Sequence, residues 1–324
     1  MDNILNITNG DCAVAVMRKA NIPGVFLPWR DVLHDGPVPG HVSLEALSRV
    51  RAEFISSRGW GELGDIDKEF IERDNSLKSF EKYEKVILWF EHDLYDQLQI
   101  LQILDWFYKH NNHKNNLSII CADKYLGQLP TDEMRGMLSY EEPVTDRHLS
   151  LSHMAWSAYC ASSPQQWNEL LRTDTCVLPF LKAAVLRQLE EFPSKFNGLS
   201  RTAQQLLEII SEGEIGAWKA FALNQGAEDR VFLGDSSFWA ILQSMLNSKA
   251  VLLDASKGGI SQAINAETAK GCILSITPTG EDVLSGKRNW LDITPPDYWL
   301  GGVHMQADNI WCWNSELCKI EKCN

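Results

Sequence analysis

The chain alternates between short, wholly apolar runs and longer segments whose apolar residues recur every three or four positions. Ile4 to Thr8, Gly24 to Pro28, Val86 to Phe90 and Leu117 to Ala122 are of the first kind. Such runs read as strands buried on both faces, the pattern of a parallel sheet. Cys12 to Ala20, Ser43 to Ser57, Asp67 to Phe80 and the stretch from Leu94 to Phe107 are of the second kind and read as helices. Strand and helix alternate, so residues 1–130 are expected to form a small Rossmann-like layer of parallel strands.

After Thr131 the pattern changes. Asp146 to Ala161, Pro164 to Arg172 and Leu178 to Phe192 read as helices, opened by Thr145 or Asp146, by Ser163 before Pro164, and by Pro179. Residues 131–194 are thus expected to be a helical connector. His148 and His153 lie in its first helix, where an isolated histidine is surface or core furniture far more often than a ligand. From Lys195 three more helices follow: Ser200 to Ser211, Ile215 to Asn224 and Asp235 to Asn247. Two strand-like segments come next, Ala250 to Leu253 and Ile273 to Thr277, joined by a Gly-rich loop. The sequence ITPTGEDVLSG reads as a wing strand and its closing turn. Residues 195–324 are therefore expected to be a winged-helix-like module, finished by an aromatic hairpin that pairs 298–305 with 309–313. The fold class expected is α/β.

Composition narrows the function classes. With 324 residues, 44% of them hydrophobic and 10% aromatic, the chain has material for two packed domains. The net charge of −13 argues against a large nucleic-acid footprint, which needs a basic face. The winged-helix-like segment is no exception: Lys195 to Arg288 holds nine Lys/Arg against ten Asp/Glu. Its third helix, SSFWAILQSMLNSK, has no arginine for phosphate or base contacts. None of the eight cysteines forms a CxxC pair, so a ribbon-type zinc site is not expected. The start, Met1-Asp2-Asn3, lacks a basic region before an apolar stretch, and no run reaches the ~18 apolar residues of a membrane span. A cytoplasmic location is expected, with Cys312, Cys318 and Cys323 as free thiols.

The densest chemistry lies in Lys85 to Lys109, KVILWFEHDLYDQLQILQILDWFYK, where an apolar strand runs through an acidic turn into a helix. Asp93 is a good N-cap and Asp96 suits the first turn of the helix, but capping does not account for Glu91 and His92. In an open α/β sheet the carboxyl ends of the strands are where ligands bind. If the strands are parallel, two further turns reach the same edge. One is Gly10-Asp11-Cys12 at the start of the first helix, with Asp11 as its expected N-cap. The other is the loop from Trp29 to Pro39, which carries Arg30, Asp31, His34 and Asp35. So many carboxylates crowded together raise one another's pKa or recruit a cation. Hard oxygen donors favour Mg²⁺ or Mn²⁺. The expected roles are Asp93, Asp96, Asp31 and Asp35 on the metal, and Gly10, Asp11, Cys12 and Arg30 on a small anionic substrate. Glu91, His92 and His34 are expected to move protons.

Three stretches together resemble the bacterial DUF1835 domain-containing proteins: ITNGDCAVAVMRKANIPGVFLPWRDVLHDGPVP, WFEHDLYDQLQILQIL and WLGGVH with the later WCW. The resemblance spans most of the chain. It implies a Rossmann-like first half and a bacterial origin, and it implies no reaction. Members often carry Ser where this chain has Cys12, so any nucleophilic role of that hydroxyl would pass to a thiol. Two functions follow from the residues. One is metal-assisted hydrolysis or phosphoryl transfer on a nucleotide-like or other anionic small substrate. The other is a regulatory or interaction protein that couples a ligand-binding Rossmann-like domain to a winged-helix module with a DNA or protein partner.

Overall fold

A computed structural model describes residues 3–110, 116–256 and 264–323. The chain divides into two compact units: Met1–Leu186 with Gly301–Val303, and Arg187–Leu300 with His304–Asn324.

The first unit begins with β1 (Ile4–Thr8), α1 (Asp11–Lys19), β2 (Val25–Pro28) and a two-residue β3 (Gly36–Pro37). It continues through α2 (Leu44–Ser57), α3 (Leu63–Lys78), β4 (Lys85–Phe90), α4 (Leu94–His110) and β5 (Leu117–Cys121). Then come α5 (Thr131–Gly136), β6 (Glu142–Pro143), α6 (Asp146–Tyr159), α7 (Gln165–Glu169) and α8 (Leu181–Leu189). One five-stranded sheet has the order β2-β1-β4-β5-β6. Its first four strands are parallel, and only β6 runs antiparallel, against β5. The expected parallel layer is therefore present, and α/β describes it. Residues 131–186, expected as part of a connector, fall in this unit, and β6 extends its sheet.

The apolar runs account for the sheet. Val86 to Phe90 are all buried, because β4 is covered on both faces. On one side, Ala13, Met17 and Ala20 of the α1 segment pack with Ile87, Trp89 and Ile120. The buried Asn6 is satisfied inside this layer: it accepts the Trp89 indole N–H at 2.9 Å and donates to the Pro23 carbonyl at 2.9 Å. Gly24 beside it sits at φ +111°, and a Cβ there would lie 2.5 Å from the Ile4 carbonyl oxygen, so only glycine lets β2 approach β1. Helix α4 differs from an ordinary amphipathic helix. Its polar residues Gln97, Gln99, Gln102 and Asp105 are buried along with its apolar ones. Two of them serve the loop after β2: Gln99 donates to the Asp31 carbonyl at 2.8 Å, and Gln102 accepts the Trp29 indole N–H at 2.7 Å.

The second unit contains α9 (Arg201–Ser211), β7 (Ile215–Gly216), α10 (Ala217–Gly226), α11 (Asp235–Leu246), β8 (Leu253–Ser256) and β9 (Ile273–Ile276). Next come α12 (Pro278–Leu284), α13 (Trp290–Ile293), β10 (Tyr298–Gly301), β11 (Val303–Met305), β12 (Ile310–Asn314) and β13 (Lys319–Cys323). Strands β7, β9 and β8 form a small antiparallel sheet in that order. Three expectations change here. The segment after β9 is a helix, not a wing and turn: Thr277 accepts the Gly280 N–H at 3.0 Å, and Pro278 occupies the first helical turn, where its missing N–H costs nothing. The strand placed at 250–253 begins only at Leu253, and part of the Gly-rich loop, 257–263, lies outside the described residues. Ile310–Asn314 pairs with Lys319–Cys323 rather than with 298–305, and a disulfide joins Cys312 to Cys323 across that ladder. Two of the three expected free thiols are thus bonded. Cys318, in the turn between the strands, remains free.

Caps follow the sequence closely. Ser43 and Ser200 accept the backbone N–H three residues on, as expected. His148 is fixed by a capping box, its Nδ1 taking the Thr145 N–H at 3.1 Å. At α1 the cap is Gly10 and not Asp11, which is already helical. Among the described residues no helix is long and apolar enough to cross a membrane.

Candidate functional site

The strand order places the first α/β crossover on one side of β1 and β4 on the other. The crevice outside the carboxyl ends of β1 and β4 is thus the point where chain direction across the sheet reverses, the usual ligand position in such sheets. Three acidic side chains converge there. Glu91 follows β4 directly, Asp93 sits just before α4, and Asp96 lies in its first turn. All three are buried, and one oxygen of each lies within 4.8 Å of the others.

Local backbone geometry holds them in place. Asp93 caps α4, its Oδ1 accepting the Asp96 N–H at 3.2 Å. Asp96 turns its carboxylate back toward the sheet, where Oδ1 accepts the Glu91 N–H at 2.7 Å. Asn9, at the end of β1, donates to both Asp96 Oδ2 (2.9 Å) and Glu91 Oε1 (3.0 Å). The Leu126 N–H, after β5, reaches Glu91 Oε1 at 2.8 Å. A Cβ on Gly127 would lie 2.9 Å from the Cys12 Cβ, so the absence of a side chain at 127 lets this turn sit against the start of α1. Three strand ends therefore contribute to one cluster.

The electrostatics are unfavourable for three charged acids. Burial, then the Asp93 charge, pushes Glu91 up to about 7. Burial, followed by Asp93 and Glu91, pushes Asp96 well above the carboxylate range. Among the described residues neither Glu91 nor Asp96 has a lysine or arginine partner. A proton or a cation relieves such a cluster, and an all-oxygen, all-carboxylate donor set suits a hard divalent ion.

Other expected site residues lie nearby with different partners. Arg30, after β2, donates its backbone N–H to the Asn9 carbonyl at 3.1 Å. Its guanidinium grips Asp11 in a two-pronged contact at 2.8 and 2.7 Å and reaches Glu69 at 3.5 Å. It holds a left-handed φ of +53°. Hydrogen bonding to Arg30 keeps Asp11 below its usual range. Gly10 is extended, and Cys12 is exposed at the first turn of α1. The His92 ring packs against Tyr125 (4.9 Å) and Phe180 (5.9 Å), and His34 meets Tyr95 of α4 edge-on at 5.9 Å.

Asp31 and Asp35 depart from the expected metal set. Asp31 is fully buried and takes Arg51 at 3.0 Å, with Arg73 at 3.9 Å. Asp35 faces Arg58 at 3.8 Å. Arg51 also donates to the carbonyls of Val32, Asp35 and Pro37, so it clamps the whole loop. These two acids are neutralised by arginines of α2 and its C-cap, which sequence spacing does not reveal. Asn9, the Leu126 N–H, Tyr95 and Tyr125 are site neighbours that residue-type reasoning missed. Only Asn9 carried a signal, as a polar residue directly after a buried strand. Elsewhere His304 pairs with Asp297 at 2.8 Å and stacks on Trp299. No protein-family model matches this chain, and no curated protein matches it.

Proposed function

We propose that the first unit is a metal-assisted hydrolase or phosphoryl-transfer enzyme for a small anionic, nucleotide-like substrate. The observation that carries this reading is the buried Glu91, Asp93 and Asp96 triad, its oxygens within 4.8 Å, at the crevice between β1 and β4. Glu91, Asp93 and Asp96 hold Mg²⁺ or Mn²⁺, and Asn9 orients the first and last of them. The ion supplies Lewis-acid activation of water and of the electrophilic centre. Arg30 and the N–H groups at Gly10, Asp11 and Cys12 receive the anionic end, with substrate oxygens replacing Asp11 on the guanidinium. His92 and His34 move the proton. Glu91, whose pKa stands near 7, holds one itself when the ion is gone.

A thermal-shift titration tests this. A ligand that binds only the folded state raises the melting temperature with concentration. Mg²⁺ or Mn²⁺ at millimolar concentration should raise it by several degrees in the wild type and leave Glu91→Gln unmoved. An equal response in both proteins, or none in the wild type, removes the metal and with it this reaction.

A second reading rests on the second unit. Its order, helix–strand–helix–helix–strand–strand with the sheet running β7-β9-β8, supports a winged-helix arrangement and hence a regulatory or interaction role. Helix α11 would be its reading helix. Its exposed positions are Ser236 and Ser244, with Asn247 and Lys249 just beyond, which suits a protein partner better than phosphate contacts.

A further inference from the structure

Nine residues beyond Asp96, about 14 Å along the helix axis, α4 borders a second hollow. It lies in the first unit, has a volume of about 450 Å³, and is walled by α2, α3, α4 and α6. That is within the ~300–1,000 Å³ of small-molecule pockets. Phe80, Trp106 and Trp156 supply flat apolar surface. Trp106 is held rigid by Phe80 edge-on at 5.7 Å and by His110 stacked at 4.7 Å.

The charged lining is uneven. Lys78 is engaged by Glu45, and Lys109 by Asp105 at 2.7 Å. The other Asp105 oxygen holds His153 at 2.7 Å. Glu81 also lines the hollow and, among the described residues, has no cationic partner. Histidines aside, the lining therefore carries one uncompensated negative charge. The N-terminus of α2 also points here, which by itself would favour an anion. That end is already occupied: Ser43 accepts the Ala46 N–H at 3.2 Å, and Glu45 stands in the first turn.

We infer that this hollow binds a small organic cation, an ammonium on a flat apolar body. The body lies against Trp106 and Trp156, and the ammonium faces Glu81, with the aromatic faces adding cation–π attraction. This site is separate from the acidic cluster and does not depend on its reading.

Calorimetry on the full chain with tryptamine, indole and indole-3-acetate tests the inference, because the three share a ring and differ in charge. Tryptamine should bind at least tenfold more tightly than indole-3-acetate, with indole between them. Glu81→Gln should lower tryptamine affinity severalfold and leave indole unchanged. Val42→Trp, at a lining position that is two-fifths exposed and so tolerates a larger side chain, should abolish binding of all three. Glu91→Gln should leave tryptamine affinity as it is. The inference is overturned if tryptamine fails to bind, if indole-3-acetate binds as tightly, if a folded Val42→Trp protein retains affinity, or if Glu91→Gln removes it.

Discussion

Glu91, which is buried, and Glu191, which is partly buried, lie one in each unit and carry opposite electrostatics. Burial alone pushes each of them up. At Glu191 the pull of Arg187 at 2.6 Å, with hydrogen bonds from Thr202, overcomes burial and holds the carboxyl below its usual range. Arg187 also binds Glu228 at 2.7 and 2.8 Å, so one guanidinium serves two acids. Among the described residues no guanidinium reaches Glu91. Its neighbours are Asp93 and Asp96, and its donors among the described residues are neutral N–H groups. The first arrangement carries its own counter-charge, while among the described residues neither Glu91 nor Asp96 has a lysine or arginine partner. The Asp31–Arg51 pair makes the same point inside the first unit, since it lies close to the cluster in sequence reasoning yet is already neutral.

The largest expected effect comes from breaking the self-sufficient side. Arg187→Met leaves Glu191 without its arginine and Glu228 with only Arg201 at 3.9 Å, and loss of one partner of a buried pair costs about 3–5 kcal/mol. Urea denaturation should show it, and a loss under ~1 kcal/mol would mean the network contributes little. The opposite sign is expected at Glu91. Its folded pKa lies near 7 against 4.5 for the free carboxyl. The folded state therefore favours the proton, and stability is lost as pH rises from about 5 through 7. Glu91→Gln should stabilise the cation-free protein at pH 8 by up to roughly 3 kcal/mol and do nothing at pH 4. A wild-type stability flat between pH 5 and 8 would contradict the raised pKa. The smallest effect belongs to the exposed pair Arg30–Asp11. Arg30→Ala should change stability by less than ~1 kcal/mol, while abolishing any thermal shift produced by an added nucleoside phosphate. An unchanged nucleotide response would take Arg30 out of substrate binding.

Much of this contrast was invisible in residue spacing. Glu91, Asp93 and Asp96 are close in sequence and meet at a strand-to-helix turn, so periodicity alone located them. Asp31 and Asp35 are equally acidic and follow a strand end too, yet their partners, Arg51 for Asp31 and Arg58 for Asp35, come from the next helix and its C-cap, twenty or more residues on. Asn9 joined the site because β1 and β4 are neighbours, with Thr8 opposite Trp89, although their residues are about eighty apart. The disulfide was hidden for the same reason: Cys312 and Cys323 lie in strands paired by a turn that their spacing did not announce.

By itself, the sequence determined the local elements. Wholly apolar runs became strands, buried in β1, β4 and β5 though more open in the edge strand β2, three-and-four spacing became helices, and Ser43 and Ser200 became caps, since these depend on each residue and its near neighbours. Only the tertiary structure decided which buried charges would find a counter-charge. A carboxylate's energy in a low-dielectric interior depends on what lies within a few ångströms, and those groups arrive from strands and helices far away in the chain.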